Sequence, residues 1–489
     1  MKLSQVVMAG VAFAFLASCS SEDTSSTASA TPSNATNVLS SESLAQAMGA
    51  SVSSMPLGLG CGWLAASDPD KANIAFPDSE AKYWVAAAPV SPQTRLRIDG
   101  RYPDARYFSY NAYDVALRPT DALADVELSP NSGSVNSFQN ENAAPGGKYT
   151  AYLEYGPSRV QNATQNPTSA PNSPRKPNTF YTGNVNLGPL DVPNALALFM
   201  YRVYVSEAGE FMDGGVGLPT LTLETADGSR ELGTLPNCAE PVLPNLGGAL
   251  PPLGINDLLL GLDYPNQLAL PFPTASYPPT TGKFFSLGDT VFRILGNATG
   301  QDTSALGGRV DSGSGGFLSN IHNAYTTTAF DRKGGSIALL RAKAPTYRGQ
   351  AGVPFGTEQL RYWSLCGNEF VTQRYTDCAA DYQVPLDQNG FFTVVISDPA
   401  DRPANATAAN GFLWLPWGPY PDQVLLYRHM LHNPTFTQAI QNVEKGANLD
   451  TVMGPFAPQA TYCSPEVFGQ SNRSSEVFAL CLQEQNTQQ

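Results

Sequence analysis

Three histidines, His322, His429 and His432, are all that this 489-residue chain offers for proton transfer near neutral pH. Any mechanism that needs an imidazole must use one of them. His429-x-x-His432 would put two rings on one face of a helix, as a metal pair requires, but the residues around it alternate like a strand, which sends the rings to opposite faces. No metal site is expected there. A serine nucleophile has no better support: there is no G-x-S-x-G, and "VDSGSGGF" at 310–317 is a Gly/Ser loop without the strand-to-helix context of a nucleophile elbow. "DPDKAN" at 68–73 gathers Asp68, Asp70 and Asn73 but lacks the glycine and distal glutamate of a calcium loop, and reads as a turn. Two indoles remain, Trp414 and Trp417 in the Pro/Gly-rich "GFLWLPWGPYP" at 411–421. Such residues either plug the end of a sandwich or form a stacking platform for a ligand. Trp414, Trp417 and His429 are the candidate ligand-binding residues, and no cofactor is implied.

An internal repeat defines the elements that must position them. Arg106-Tyr107-Phe108-Ser109 is echoed by Arg361-Tyr362-Trp363-Ser364, and Thr120, Asp121 and Asp125 by Thr376, Asp377 and Asp381. "GGKYTAYLEYG" from 146 then pairs with "NGFFTVVISDP" from 389, and "LALFMYRVYV" with "QVLLYRHML". Upstream, "GLGCGWLAASDPDKANIAF" echoes "SGSGGFLSNIHNAYTTTAF". Each segment alternates with period two, is rich in aromatic and β-branched residues, and is bounded by Gly, Pro and Asn, the pattern of half-buried antiparallel strands. The expected fold is mainly β: two homologous antiparallel sandwiches, jelly-roll-like, arising from a tandem duplication. The boundaries are 57–240 for the first copy and 312–489 for the second with its C-terminal extension.

Duplication also sorts the polar residues, because a fold must be specified twice and a site only once. Arg106 and Arg361, Asp121 and Asp377, Asp125 and Asp381, and Arg202 and Arg428 occur in both copies and are expected to be structural. His429 stands where the first copy has Val203, and Trp414 and Trp417 where it has "TFYTGNVNLG", so the second copy carries the asymmetry. "NAT" recurs at Asn162 and Asn405, consistent with a turn-forming side chain.

Between the copies, residues 241–311 form an apolar connector broken by proline. Its "PNLGGALPPLGINDLLLGLDYPNQLALPFP" is too interrupted to span a bilayer and too aliphatic for a solvated linker. It reads as a strap across the sandwiches or a lid over an apolar cleft.

The N-terminus begins with Lys2, an apolar run from Val6 to Leu16, and Leu16-Ala17-Ser18-Cys19. This is an export signal too short to cross a membrane. The four residues resemble the lipobox of bacterial lipoproteins, which implies cleavage after residue 18 and acylation of Cys19; the alternative is a plain secretory signal cut near the same place. Ser20 rather than Asp at the next position resembles delivery to the outer membrane. Residues 19–56 are a polar tether without hydrophobic periodicity. The chain has seven cysteines, and setting Cys19 aside leaves an even six, as expected of disulfides in an oxidising compartment. The repeat aligns Cys366 with Asn111 and Cys378 with Ala122, so the pair is absent together from the first copy and is expected to bond. Cys463 with Cys481 would be a C-terminal clasp, leaving Cys61 with Cys238. A formal charge of −14 argues against nucleic acid as a partner.

"RYWSL" followed by "WLPWGPYPDQVLLYRHML" resembles the C-terminal β-sandwich of a group of exported bacterial envelope proteins of unknown function. The chain departs from that pattern in reading Tyr427-Arg428-His429 instead of Arg-x-Tyr. The resemblance implies a fold and no activity. The expected function is that of a membrane-anchored lipoprotein that binds an apolar or glycan ligand or an envelope partner without catalysis. The alternative is a periplasmic or surface hydrolase acting on lipid or polymer where the two sandwiches meet.

Overall fold

Alternating apolar residues make strands of both halves. The computed structural model divides into unit 1, Met1–Ala72 with Ala81–Asn245, and unit 2, Asn73–Glu80 with Leu246–Gln489. The structure describes residues 62–67, 69, 76–113, 119–157, 175–186, 191–194, 196–209, 212–235, 278–284, 318–369, 374–419 and 422–487. Cys19, the tether, Cys61, Cys238, Asn162 and the aliphatic centre of the connector lie outside these residues.

Unit 1 contains β1 (Ala65–Ser67), β2 (Ala81–Pro89), β3 (Thr94–Arg101), β4 (Ala105–Tyr113), β5 (Pro119–Ala124) and β6 (Lys148–Glu154). It continues with β7 (Thr179–Tyr181), β8 (Asn184–Asn186), β9 (Asp191–Pro193), β10 (Leu196–Ser206), β11 (Thr220–Thr225) and β12 (Glu231–Leu235). Two five-stranded sheets result, ordered β1-β2-β10-β4-β5 and β12-β11-β3-β6-β7, with β8 and β9 as a separate pair. Their facing residues, among them Trp63, Trp84, Phe108, Tyr110, Tyr149 and Tyr201, form the unit 1 core.

Unit 2 contains β13 (Thr281–Lys283), β14 (Asn323–Asp331), β15 (Ile337–Lys343), β16 (Leu360–Asn368), β17 (Tyr375–Ala380), β18 (Phe391–Ser397), β19 (Leu413–Pro416), β20 (Asp422–His432) and β21 (Gln459–Cys463). Three helices follow the main strands: α1 (Leu449–Met453), α2 (Pro465–Phe468) and α3 (Ser474–Thr487). The sheets are β13-β14-β20-β16-β17 and β19-β18-β15-β21. β13 falls inside the stretch expected to be connector; its pairing with β14 makes it an edge strand instead.

The first sheets of the two units have the same strand order, and the second sheets share four strands, β11-β3-β6-β7 against β21-β15-β18-β19, with β12 in unit 1 alone among the described residues. β6 pairs parallel with β7, and β18 pairs parallel with β19, while the other ladders among the described residues are antiparallel. Asn111 lies opposite Ala122 in unit 1, and Cys366 lies opposite Cys378 in unit 2, where the two are disulfide-bonded. The aligned carboxylates do matching work: Asp125 accepts the Phe108 N–H at 3.0 Å and Asp381 accepts the Trp363 N–H at 3.1 Å. Two glycines sit at the same place after the parallel strands. Gly183 (φ +69°) abuts Thr120 and Gly418 (φ +89°) abuts Thr376, so a Cβ would meet both strain and a clash.

Upstream of β2 the sequence echo is out of register. Arg202 and Arg428 are equivalent, each facing a strand serine, Ser109 or Ser364. With Met200 opposite Val85 and Leu426 opposite Thr327, counting back places Phe76 level with Leu318, not with Phe330. Phe76 and Leu318 share a left-handed φ, 54° and 50°, and Asp78 and Asn320 both accept the N–H two residues on. The two stretches are alike in composition, but they lack the strand alternation that fixes a register.

The units differ on the outer face of the second sheet. In β3 and β6 that face carries Arg95, Arg97, Asp99 and Glu154, engaged in ion pairs with one another and with Glu224 and Glu231. The equivalent positions in β15 and β18 include Ile337, Leu339 and Val395, which form a second small core with Phe468, Val477, Phe478 and Cys481. The C-terminal extension therefore roofs this face, and Cys463–Cys481 clasps the roof to β21. Opening that bond should cost about 2–4 kcal/mol, as expected for a short loop. In a Cys463→Ser, Cys481→Ser variant, a lowered melting temperature should accompany new binding of an apolar dye. Unchanged dye binding would mean that packing alone holds the roof.

Candidate functional site

A buried polar constellation in unit 2 is built around Arg428. Alternation along β20 puts Leu425 and Tyr427 in the core and turns Arg428 to the opposite face, opposite Ser364 on β16 and Tyr325 on β14. Its guanidinium lies 5.1 Å from the Tyr325 ring centre and donates to the Asp78 carboxylate, to Ser364 Oγ at 2.9 Å and to the Phe76 carbonyl at 3.4 Å. Asp78 also accepts Tyr362 OH at 2.8 Å on Oδ1 and Ser364 Oγ at 2.7 Å on Oδ2. Asp78, Tyr362, Ser364 and Arg428 are all buried. Burial pulls the Arg428 pKa below the ordinary guanidinium value, and the adjacent carboxylate is what keeps the charge tolerable.

Within this group Arg428 is bonded to an internal carboxylate, and Ser364 is bonded to both partners. Ser364 Oγ donates to a carboxylate oxygen that the Arg428 guanidinium also holds, so its proton is committed inside the group. In unit 1, Arg202 faces Ser109 in the same way but donates to Tyr113 OH, at 2.5 Å from Nη2, and stacks 4.5 Å over Tyr83. Tyrosine, serine and arginine recur in both units, and in unit 2 the arginine is bonded to Asp78.

The structure does not bring Trp414, Trp417 and His429 together. Trp414 lies on β19, paired with Val395, not in a loop; its indole N–H donates to Ser397 Oγ at 3.0 Å and Arg402 stacks 4.5 Å from the ring centre. It is partly buried against the roof. Trp417 belongs to the main core at 1% exposure. Its backbone N–H bonds Ser397 O at 3.0 Å, as the Thr182 N–H bonds Glu154 O at 3.0 Å in unit 1.

His429 faces the core, edge-on to Tyr427 with centroids 4.6 Å apart. Its Nδ1 accepts the Ile440 N–H at 3.2 Å. Burial holds its pKa well below the ordinary imidazole range, with the nearby His432 adding to the shift. It is a neutral acceptor. His432, three residues on along the same strand, is only partly buried, in keeping with opposite faces. Among the described residues, no group of three or more His, Cys, Asp or Glu could hold a metal.

Sequence reasoning missed Asp78 and Lys283. Lys283 Nζ donates to Gln441 O at 3.1 Å and Val443 O at 2.7 Å, and burial lowers its pKa to about 8. A lone Asp in "FPDSE" and a lone Lys in "TGKF" carry no signal of burial; only the strand register could have pointed to them.

No protein-family model matches the chain, and no curated protein matches it. Among solved structures it is similar to an uncharacterized protein from Burkholderia cenocepacia, at 12% identity over 76% of this chain and 79% of that one, with a TM-score of 0.38. It is also similar to the VPA0106 protein from Vibrio parahaemolyticus, at 13% identity over 80% and 91% of the two chains, with a TM-score of 0.32. Likenesses this remote assign no role.

Proposed function

We propose that the chain is an exported lipoprotein, held at the outer membrane by acylated Cys19, that binds an apolar or glycan ligand or an envelope partner without chemical turnover. The observation that carries the non-catalytic part is the commitment of its reactive groups to the fold. His429 holds a backbone N–H, and Ser364 and Asp78 are locked to Arg428. The disulfides Cys366–Cys378 and Cys463–Cys481 support an oxidising compartment, in line with the export signal. The shared strand order and the matching register of Cys366–Cys378 with Asn111–Ala122 support descent of both units from one sandwich.

Cys19→Ala should abolish palmitate labelling and move the protein from the salt-washed membrane fraction to the soluble one, since acyl chains are the proposed anchor. Equal retention of the variant rejects the anchor. Mass spectra of the soluble domain should show co-purifying lipid or glycan, with no turnover of ester or glycoside substrates.

A further inference from the structure

The chain between β20 and β21 folds back over the unit 2 core. Phe436, Ala439, Ile440, Val443, Met453 and Phe456 from this segment are all buried in it. Its first half holds a 3-10 turn, Ile440–Asn442. That turn is gripped at both ends. His429 Nδ1 takes the Ile440 N–H at its start, and Lys283 Nζ takes the Gln441 and Val443 carbonyls at its finish. Gln441 Nε2 adds bonds to His429 O at 2.9 Å and His322 O at 3.4 Å.

The His429 grip needs a neutral ring. Nδ1 can accept only while the proton is on Nε2; a second proton would set an N–H against the Ile440 N–H. The surroundings oppose that proton. His432 on the same strand and Lys283 on β13 are the cationic or titratable neighbours, with His322 next to β14, and Tyr427 meets the ring edge-on. Glu444 lies toward Lys283 and Asp381 toward Tyr427, so neither acid acts on the imidazole directly.

We propose that residues 433–447 form an acid-released strap: protonation of His429 breaks its bond to Ile440 and frees the turn, uncovering the apolar end of the unit 2 core. The sign follows from the neutral closed form. The closed strap binds no proton at His429 and the open one does, so closure is fully favoured above the ordinary imidazole pKa of about 6.5 and weakens as pH falls below it. With one proton coupled to opening, the open fraction should rise up to about 30-fold between pH 7.5 and 5.0.

Amide hydrogen exchange of the full chain at both pH values, corrected for intrinsic rates, reads this directly. Protection at Ile440 and Val443 should fall by at least about tenfold at pH 5.0, while the β15 and β18 amides stay protected. His429→Gln, which keeps a side-chain acceptor without the titration, should hold strap protection within about threefold across the two pH values, and His432→Gln should retain the fall. Equal loss at β15 in the wild type would mean global unfolding and overturn the proposal. So would an undiminished fall in His429→Gln, or its disappearance in His432→Gln. The wild-type comparison stands even where the His429 variant does not fold.

Discussion

Asp78→Ala should destabilise unit 2 by about 3–5 kcal/mol, the range for removing one partner of a buried ion pair. The loss exceeds that of an ordinary hydrogen bond because Arg428 stays charged at 2% side-chain exposure and keeps only Ser364 Oγ, a backbone carbonyl and a tyrosine face. The bonds from Tyr362 OH and Ser364 Oγ to the carboxylate are lost as well. Adding Arg428→Met removes the stranded charge and keeps an unbranched apolar stem against Tyr325. The double variant should therefore recover most of the loss, since apolar replacement of a buried pair is often neutral. Denaturant melts of the two variants measure this. A double variant as unstable as Asp78→Ala alone would show that the loss came from the Phe76–Glu80 backbone and not from the unpaired guanidinium.

That arrangement also marks how far the sequence could be read. The strands were legible because each carries its own alternation: "YTAYLE" and "FFTVVIS" became β6 and β18, and "RYWSL" lies within β16. The Cys366–Cys378 bond was legible because two matching positions, Asn111 and Ala122 against Cys366 and Cys378, differ together. The placing of "TFYT" against "WLPW" follows from the same logic, since Trp417 and Thr182 make the same backbone bond. Asp78 was not legible. Its partner is 350 residues away, and its segment has no alternation that fixes a register. His429 drew attention because unit 1 has valine at the matching place, but nothing in the sequence indicated that its Nδ1 would hold the Ile440 N–H. The apolar outer face of β15 was equally hidden, because Ile337 and Leu339 have meaning only beside the roof that covers them.

Trp417→Ala should cost about 3–5 kcal/mol and leave any ligand or partner retained per folded molecule. The indole is at 1% exposure within the cluster that includes Trp363, Phe392 and Tyr427, and the Arg332 guanidinium stands 5.3 Å from its ring centre. Its Nε1–H is buried with no hydrogen-bond acceptor among the described residues, so shape rather than polarity holds it. Trp417→Phe should accordingly cost much less than the alanine change, since it keeps part of the volume and removes an unsatisfied donor. Trp414 gives the contrast: partly exposed, with its N–H bonded to Ser397, it should tolerate alanine at smaller cost. Thermal melts combined with retention on envelope fractions separate the two tryptophans. If Trp417→Ala barely moved the melting temperature and yet abolished retention, the ring would be a binding platform despite its burial, and its place in the core would have to be a closed state of that platform. If stability falls and retention survives, Trp417 does in unit 2 what Thr182 does in unit 1: it ends the parallel strand, with a larger side chain that also fills the core.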